Sequence, residues 1–273
     1  MTGRLPDFLI VGAMRSGTTS LARSLERHPD VFLPPTKEVH FFDRNFDKGL
    51  SWYAAHFRSA SGYAVVGEAT PEYMYDEEAR RRMSATLPEA RLIAILRDPT
   101  DRAYSHYWHE RNLGRESLSF EQALEAEERR LQDEDPVTRC RFAYAERGFY
   151  LHQLRALEET HGRSAMNVVL FEDFVSDPHT EFRRVASFLG VSDHVPDAVE
   201  RNWNPTKLVR SQGARRLARK LPKGPLRRLG LHMTVTGDSY PPMPSALRAA
   251  LCERFRESNR DLGTWLGREL PWG

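Results

Sequence analysis

The chain has 273 residues and a mass of 31.5 kDa, enough for one large domain or two small ones with a substantial core. Hydrophobic residues at 40% and charged residues at 29% exclude a collagen-like, fully disordered or disulfide-scaffold chain. The net charge is +2, yet ten Lys/Arg and no Asp/Glu fall between Arg201 and Gly230, and such a local excess points to an anionic ligand, substrate or surface.

In chain order, Leu5–Val11 reads as a short buried strand, Gly12–Gly17 as a turn and Thr18–Arg27 as a helix with Leu21 and Leu25 on one face. His28-Pro29 ends that helix, because the residue before a proline leaves the helical region. Val31–Leu33 and Tyr63–Val66 are further apolar runs, and Arg91–Leu96 (RLIAIL) is a clear buried strand. Asp98-Pro99 opens a helix to about Arg111, with proline in the first turn. Phe120–Leu131 reads as a charged surface helix, Tyr144–Glu159 as another helix and Met166–Phe171 as a strand. Asp177-Pro178 opens a helix that Gly190 stops, and Leu247–Arg260 is the last helix. Apolar strands alternating with helices predict an α/β fold, one domain over 1–273 with a mostly parallel central sheet covered by helices. The stretch 201–243 is basic and irregular and is expected to cover the site.

No apolar run reaches membrane-spanning length, and Phe8–Val11 is too short for a signal-peptide core. Cys140 and Cys252 form neither a zinc spacing nor a CxxC pair. The expectation is a cytoplasmic protein with reduced thiols.

Gly12-Ala13-Met14-Arg15-Ser16-Gly17-Thr18-Thr19 lies between a strand and a helix and has the G-x-x-x-x-G skeleton of a phosphate loop. Glycine lets backbone approach an anion, and a helix N-terminus offers unpaired N–H groups. Arg15 adds a cation, and Thr18 and Thr19 add hydroxyl donors. The lysine that an ATPase loop carries after its second glycine is Thr18 here, so a nucleotide 5′-phosphate without a triphosphate–magnesium unit suits the loop better. Arg97 follows the RLIAIL strand, where a doubly wound sheet keeps its ligand crevice. Ser105, two helical turns on, is positioned to join it on a second phosphate.

These residues resemble the sulfotransferases that use 3′-phosphoadenosine 5′-phosphosulfate (PAPS), above all the heparan sulfate and bacterial branches. The matching elements are Arg15-Ser16-Gly17-Thr18-Thr19; Arg97-Asp98-Pro99 with Ser105; Lys37-Glu38-Val39-His40-Phe41-Phe42-Asp43; Gly49-Leu50-Ser51-Trp52-Tyr53; Gly67-Glu68-Ala69-Thr70-Pro71-Glu72-Tyr73; Arg147-Gly148-Phe149-Tyr150; and Phe171-Glu172-Asp173. The resemblance implies a P-loop-like fold and sulfuryl transfer to a hydroxyl, or less readily an amine, of a carbohydrate or small natural product. It implies no metal. It assigns donor contacts to Arg15, Ser16, Gly17, Thr18, Thr19, Ser20, Arg97, Ser105 and Tyr150. Acceptor contacts go to His40, Glu68, Tyr73 and Trp108, and the general base to Glu38, with His40 as its rival.

Three departures stand out. Arg15 replaces the loop lysine of much of the family, Ala69 replaces the lysine of E-K-T-P-x-Y, and the basic K-G-R loop has no clean match. Lys207, Arg210 or the Arg215-Arg216 pair are candidates to close over the nucleotide instead. A second anion near Glu38 is expected to raise its pKa toward operating pH. His106, His109 and Glu110 lack a further ligand for a metal site.

The basic segment admits three roles: capping the nucleotide, binding an acidic acceptor, or touching anionic lipid. It lacks a nucleic-acid-binding module. A P-loop small-molecule kinase and a non-catalytic nucleotide-binding module are the alternative functions, and the oligomeric state is open.

Overall fold

The computed structural model describes residues 4–133, 135–196, 207–209 and 235–272, with backbone alone at 207–209 and 235–239. The chain divides into two compact units, one of Met1–Arg102, Arg147–Trp203 and Phe255–Gly273, the other of Ala103–Glu146 and Asn204–Arg254.

The first unit is built on five parallel strands: β1 (Phe8–Gly12), β2 (Val31–Phe32), β3 (Val65–Ala69), β4 (Arg91–Leu96) and β5 (Met166–Leu170), in the order β2-β3-β1-β4-β5. Alternation of side chains along a strand divides them between two faces. Leu9 and Val11 of β1 with Leu92, Ala94 and Leu96 of β4 enter one core, which also holds Phe41, Phe42, Tyr53, Tyr150 and Leu154. Phe8 and Ile10 with Ile93 and Ile95 enter the other, against Leu21, Leu25, Phe182 and Val185. Both faces being buried explains why these strands read as continuous apolar runs.

Helix α1 (Thr18–Glu26) follows β1. It starts at Gly17, whose φ of 95° and ψ of 8° are left-handed backbone that favours glycine. Gly12 is a close-approach glycine: a Cβ there would meet Met74 Cβ at 2.7 Å. Helices α2 (Phe41–Arg44), α3 (Leu50–Ala55) and α4 (Glu77–Thr86) lie between β2 and β4. Helix α5 (Pro99–Asn112) leaves β4. Its start is capped by Asp98, which accepts from the Thr100 amide at 2.7 Å and the Asp101 amide at 3.3 Å.

The second unit carries the later part of α5 together with α6 (Phe120–Glu125), α7 (Glu127–Leu131), α8 (Pro136–Phe142) and an antiparallel pair, β6 (Lys207–Val209) and β7 (Val235–Ser239). Back in the first unit, α9 (Tyr150–His161) precedes β5, and α10 (Phe171–Ser176) and α11 (Pro178–Leu189) follow it. Gly190 closes α11 at φ 70°. The last helix runs Ser245–Leu266.

Three expectations are corrected. The Phe120–Leu131 stretch is two helices meeting at Ala126, and Glu127 is buried rather than solvated, because its Oε1 accepts from the amides of Ala145 (2.8 Å) and Glu146 (2.9 Å). The helix expected from Tyr144 begins at Tyr150, because Glu146–Gly148 is a 3₁₀ turn and the Tyr144 hydroxyl instead donates to Glu116 at 2.9 Å. The third strand lies at Val65–Ala69, later than Tyr63–Val66, since its pairing with β1 sets Phe8 opposite Gly67.

Candidate active site

Sheet order brings the functional segments together. Strands β3, β1 and β4 are neighbours and parallel, so the segments following them leave from one carboxyl edge. The chain reverses its progression across the sheet beside β1, and ligands of doubly wound sheets bind in the crevice at that switch point. Backbone bonds stitch the edge: the Ala13 amide donates to Ile95 O (2.8 Å), Thr70 N to Ile10 O (3.1 Å) and Met74 N to Val11 O (2.9 Å). The phosphate loop therefore sits between the β3 exit and the β4 exit that carries Arg97.

In the loop, Arg15 has φ 70° and Ser16 donates its amide to Ala13 O at 3.2 Å. Ser20 donates its amide to Gly17 O at 2.9 Å, and the first-turn amides before it have no acceptor within the helix. The Ser16 hydroxyl is fully buried and has no hydrogen-bond partner among the described residues. A buried orphan hydroxyl beside helix amides fits an anion better than it fits an ordinary turn. Thr18 and Ser20 are buried in the first turn, and Thr19 lines a cavity of about 160 Å³. That cavity lies along α1, with Ala22, Leu33, Pro34, Lys37 and Ala69 among its walls.

Arg97 is half-buried with its guanidinium 5.0 Å from the centre of the Phe171 ring. Among the described residues it makes no ion pair. Tyr150 is buried, and its hydroxyl donates to the Arg97 carbonyl at 2.8 Å. It therefore holds the backbone that carries Arg97 rather than facing solvent. The Asp98 amide donates to Glu172 Oε1 at 3.0 Å, so the Phe171-Glu172-Asp173 element braces the same turn. Ser105 is buried further along α5.

The segment after β2 supplies Glu38 and His40. His40 Nε2 lies 3.3 Å from Glu38 Oε2, His40 Nδ1 lies 2.8 Å from Asp43 Oδ2, and Lys37 Nζ lies 3.1 Å from Glu38 Oε1. Burial raises the Glu38 carboxyl, but the His40 hydrogen bond and the Lys37 charge outweigh it and bring the pKa down to about 2. Burial likewise disfavours charge on His40, yet its bonds to Asp43 and Glu38 push its pKa up to about 9. The expected rise at Glu38 is thus reversed in the ligand-free protein, because an imidazolium stands between it and Asp43.

Glu68 and Tyr73, expected at the acceptor, are instead fully buried. Tyr53 donates to Glu68 Oε1 at 2.8 Å, and the Phe41 amide donates to the Tyr73 hydroxyl at 2.8 Å. Burial pushes Glu68 up to about 7 against the nearby hydroxyls of Tyr53, Tyr73 and Thr70.

In the second unit Trp108 is half-buried and stacks on Tyr240 with ring centres 5.9 Å apart. His106 is buried with its ring 5.0 Å from that of Tyr144. Among the described residues no group of three or more His, Cys, Asp and Glu is placed to hold a metal ion, and no helix is long and apolar enough to cross a membrane. The Lys207 side chain and all of Arg210, Arg215 and Arg216 lie outside the described residues.

Asp43, Thr70 and Glu172 lie inside the family-like segments, yet sequence reasoning gave none of them a role. Asp43 also carried a local signal, its i, i+3 spacing from His40 at the start of a short helix.

The sulfotransferase-domain family model matches residues 5–221. Heparan sulfate glucosamine 3-O-sulfotransferase 6 of Homo sapiens is 32% identical over 279 residues, covering 99% of this chain and 74% of the human protein. Bifunctional heparan sulfate N-deacetylase/N-sulfotransferase 4 of Mus musculus is 30% identical over 282 residues, and the chain spans only 31% of its length. The crystal structure of a sulfotransferase from Alicyclobacillus acidocaldarius superposes with a TM-score of 0.74 at 30% identity, covering 98% of both chains.

Proposed function

The chain belongs to the sulfotransferase-domain family, and on that premise we propose that it transfers a sulfuryl group from PAPS to a hydroxyl of a carbohydrate or small natural product. The observation that carries the reading is the buried, unpartnered Ser16 hydroxyl at the mouth of α1, on the same sheet edge as an Arg97 free of carboxylates among the described residues. Two anion-ready positions on adjacent strands suit a nucleotide bearing two phosphate groups.

Bound there, the donor supplies a sulfuryl group whose leaving group is a phosphate oxygen. Arg15, the Ser16 hydroxyl and the amides and hydroxyls of Thr18 and Thr19 hold that phosphate and stabilise charge as it develops. Ser20 extends the same turn. Arg97, in the turn before α5, takes the 3′-phosphate, and Tyr150 supports Arg97 from behind. The family match runs from residue 5 to 221, through segments of both compact units, which supports one sulfotransferase domain.

Glu38 takes the proton of the acceptor hydroxyl as its oxygen bonds to sulfur and the sulfur–phosphate oxygen bond breaks. A carboxylate with a low pKa serves because that hydroxyl turns acidic only as its own bond to sulfur forms. The donor's negative charge also raises the pKa of a nearby carboxylate. His40, charged and held by Asp43, keeps Glu38 ionised and aimed. The cavity lined by Thr19 and Lys37 is the place we give the acceptor, since both residues adjoin the reacting groups.

Calorimetric titration tests the reading. 3′-Phosphoadenosine 5′-phosphate should bind without magnesium, more tightly than magnesium–ATP, and Arg97→Ala should weaken it by roughly 10-fold or more. Preference for magnesium–ATP would move the protein to the kinase alternative. Bisphosphate binding without sulfation of any carbohydrate or phenolic acceptor would favour the non-catalytic module.

A further inference from the structure

Glu68 is a buried carboxyl that the chemistry above does not use. Its side chain is wholly enclosed, and among the described residues no Lys, Arg or His lies in ion-pair range of it. A carboxyl in such a place is costly unless its oxygens are bonded. Here both hydrogen-bond partners among the described residues are hydroxyls: Tyr53 donates to Oε1 at 2.8 Å and Thr70 donates to Oε2 at 3.4 Å. Asp43 adds a like charge nearby.

A hydroxyl has one proton to give. Once Thr70 directs its proton into Glu68, its lone pairs must face elsewhere, and they face the same stretch of backbone as the Tyr73 hydroxyl. Thr70 Oγ1 accepts from the His40 amide at 3.4 Å, and the Tyr73 hydroxyl accepts from the amides of Phe41 (2.8 Å) and Phe42 (3.4 Å). These are the orphan amides of the first turn of α2, for which His40 offers no side-chain cap. His40 itself is left-handed at φ 52°, a conformation that a non-glycine residue keeps only when its surroundings fix it. Helix α2 also carries Asp43, the partner of His40 Nδ1.

We propose that Glu68 is a positioning residue for sulfuryl transfer: by orienting the Thr70 hydroxyl it helps to pin the backbone at His40, beside the Tyr73 hydroxyl that holds Phe41 and Phe42, and so sets the line Glu38–His40–Asp43. This rests on the reading of Glu38 as the base. Glu68 never touches the acceptor; it acts through the Thr70 hydroxyl.

The test follows the His40 imidazole by NMR with labelled histidine, between pH 5 and 10, in the wild type, Glu68→Gln and Thr70→Val. The groups facing His40 are Glu38, Asp43 and Arg44. Thr70→Val changes no charge, so any shift it causes reports geometry. The His40 midpoint should fall from its wild-type value by about one pH unit in both variants as the Asp43 and Glu38 bonds loosen. Affinity for 3′-phosphoadenosine 5′-phosphate should stay within about twofold, because the donor loop is untouched. If Glu68→Gln does not fold, Thr70→Val decides alone. An unmoved His40 midpoint in Thr70→Val, with donor affinity intact, overturns the proposal and leaves Glu68 as a core acid. Failure of the sulfuryl-transfer reading has a different signature: a wild type that does not bind the bisphosphate, however His40 titrates.

Discussion

The imidazole of His40 stands 3.3 Å from the carboxylate of Glu38, and that pairing sets the charge state of both. With Asp43 on its other nitrogen, His40 holds a proton at neutral pH and Glu38 holds none. The two rivals for general base are thereby separated into a carboxylate that can accept a proton and an imidazolium that cannot.

Replacing Glu38 by Gln should lower turnover by about 10²- to 10⁴-fold, the range general bases contribute. Binding of 3′-phosphoadenosine 5′-phosphate should stay near wild type. Steady-state sulfation kinetics beside calorimetry checks both arms, and full retained turnover removes Glu38 from the reaction.

The ion pair carries a pH signature. Glu38 is lowered from 4.5 to about 2, so its contribution is complete above 4.5 and is lost as pH falls toward 2. His40 is raised from 6.5 to about 9, so its contribution is complete below 6.5 and is lost as pH rises through 9. Glu68 is raised from 4.5 to about 7, so the folded state keeps a proton the unfolded chain has released, and stability falls over that interval. Thermal unfolding from pH 4 to 9 should therefore show stability declining from about pH 4.5 onward. His40→Gln should flatten the part above about 6.5, and Glu68→Gln should remove the part between 4.5 and 7. An alkaline limb identical in all three proteins would contradict these assignments.

Ser16→Ala should separate ligand binding from folding. Deleting a buried hydroxyl that has no partner leaves nothing unsatisfied, so the ligand-free protein should melt at the wild-type temperature or slightly above. The stabilisation given by 3′-phosphoadenosine 5′-phosphate should shrink. A variant that is destabilised without ligand, yet gains as much from it as the wild type, would show that the hydroxyl serves the fold.

Buried Arg147 pairs with the half-buried Glu72, and the guanidinium also covers the Tyr75 ring at 4.5 Å. It ties the loop after β3 to the start of α9. Arg147→Ala leaves Glu72 with Arg44 at 3.5 Å, so it should cost about 1–3 kcal/mol in denaturant unfolding, less than halving a fully buried pair. A loss below about 1 kcal/mol would mean that water replaces the guanidinium.

The amino-acid sequence by itself determined the alternation of strand and helix, the phosphate loop and the arginine after β4, because each is a local matter. Apolar strands buried on both faces read as unbroken hydrophobic runs, and Gly17 must be glycine to enter α1 from left-handed backbone. Six residues from Gly12 to Gly17 carry the G-x-x-x-x-G skeleton on which the proposed anion site rests. The tertiary structure alone decided what stands beside what. Glu68 and Tyr73 read as acceptor contacts from the family-like segment, yet Glu68 lies on β3, an inner strand paired with β1, and Tyr73 is buried under the start of α2, whose Phe41 amide donates to its hydroxyl. The Glu38 pKa was misjudged for the same reason. Its value depends on a His40 imidazolium whose orientation is fixed by Asp43 and, through space, by hydroxyls 30 or more residues away. Charge states and burial are set by long-range contacts, and a one-dimensional pattern does not carry those distances.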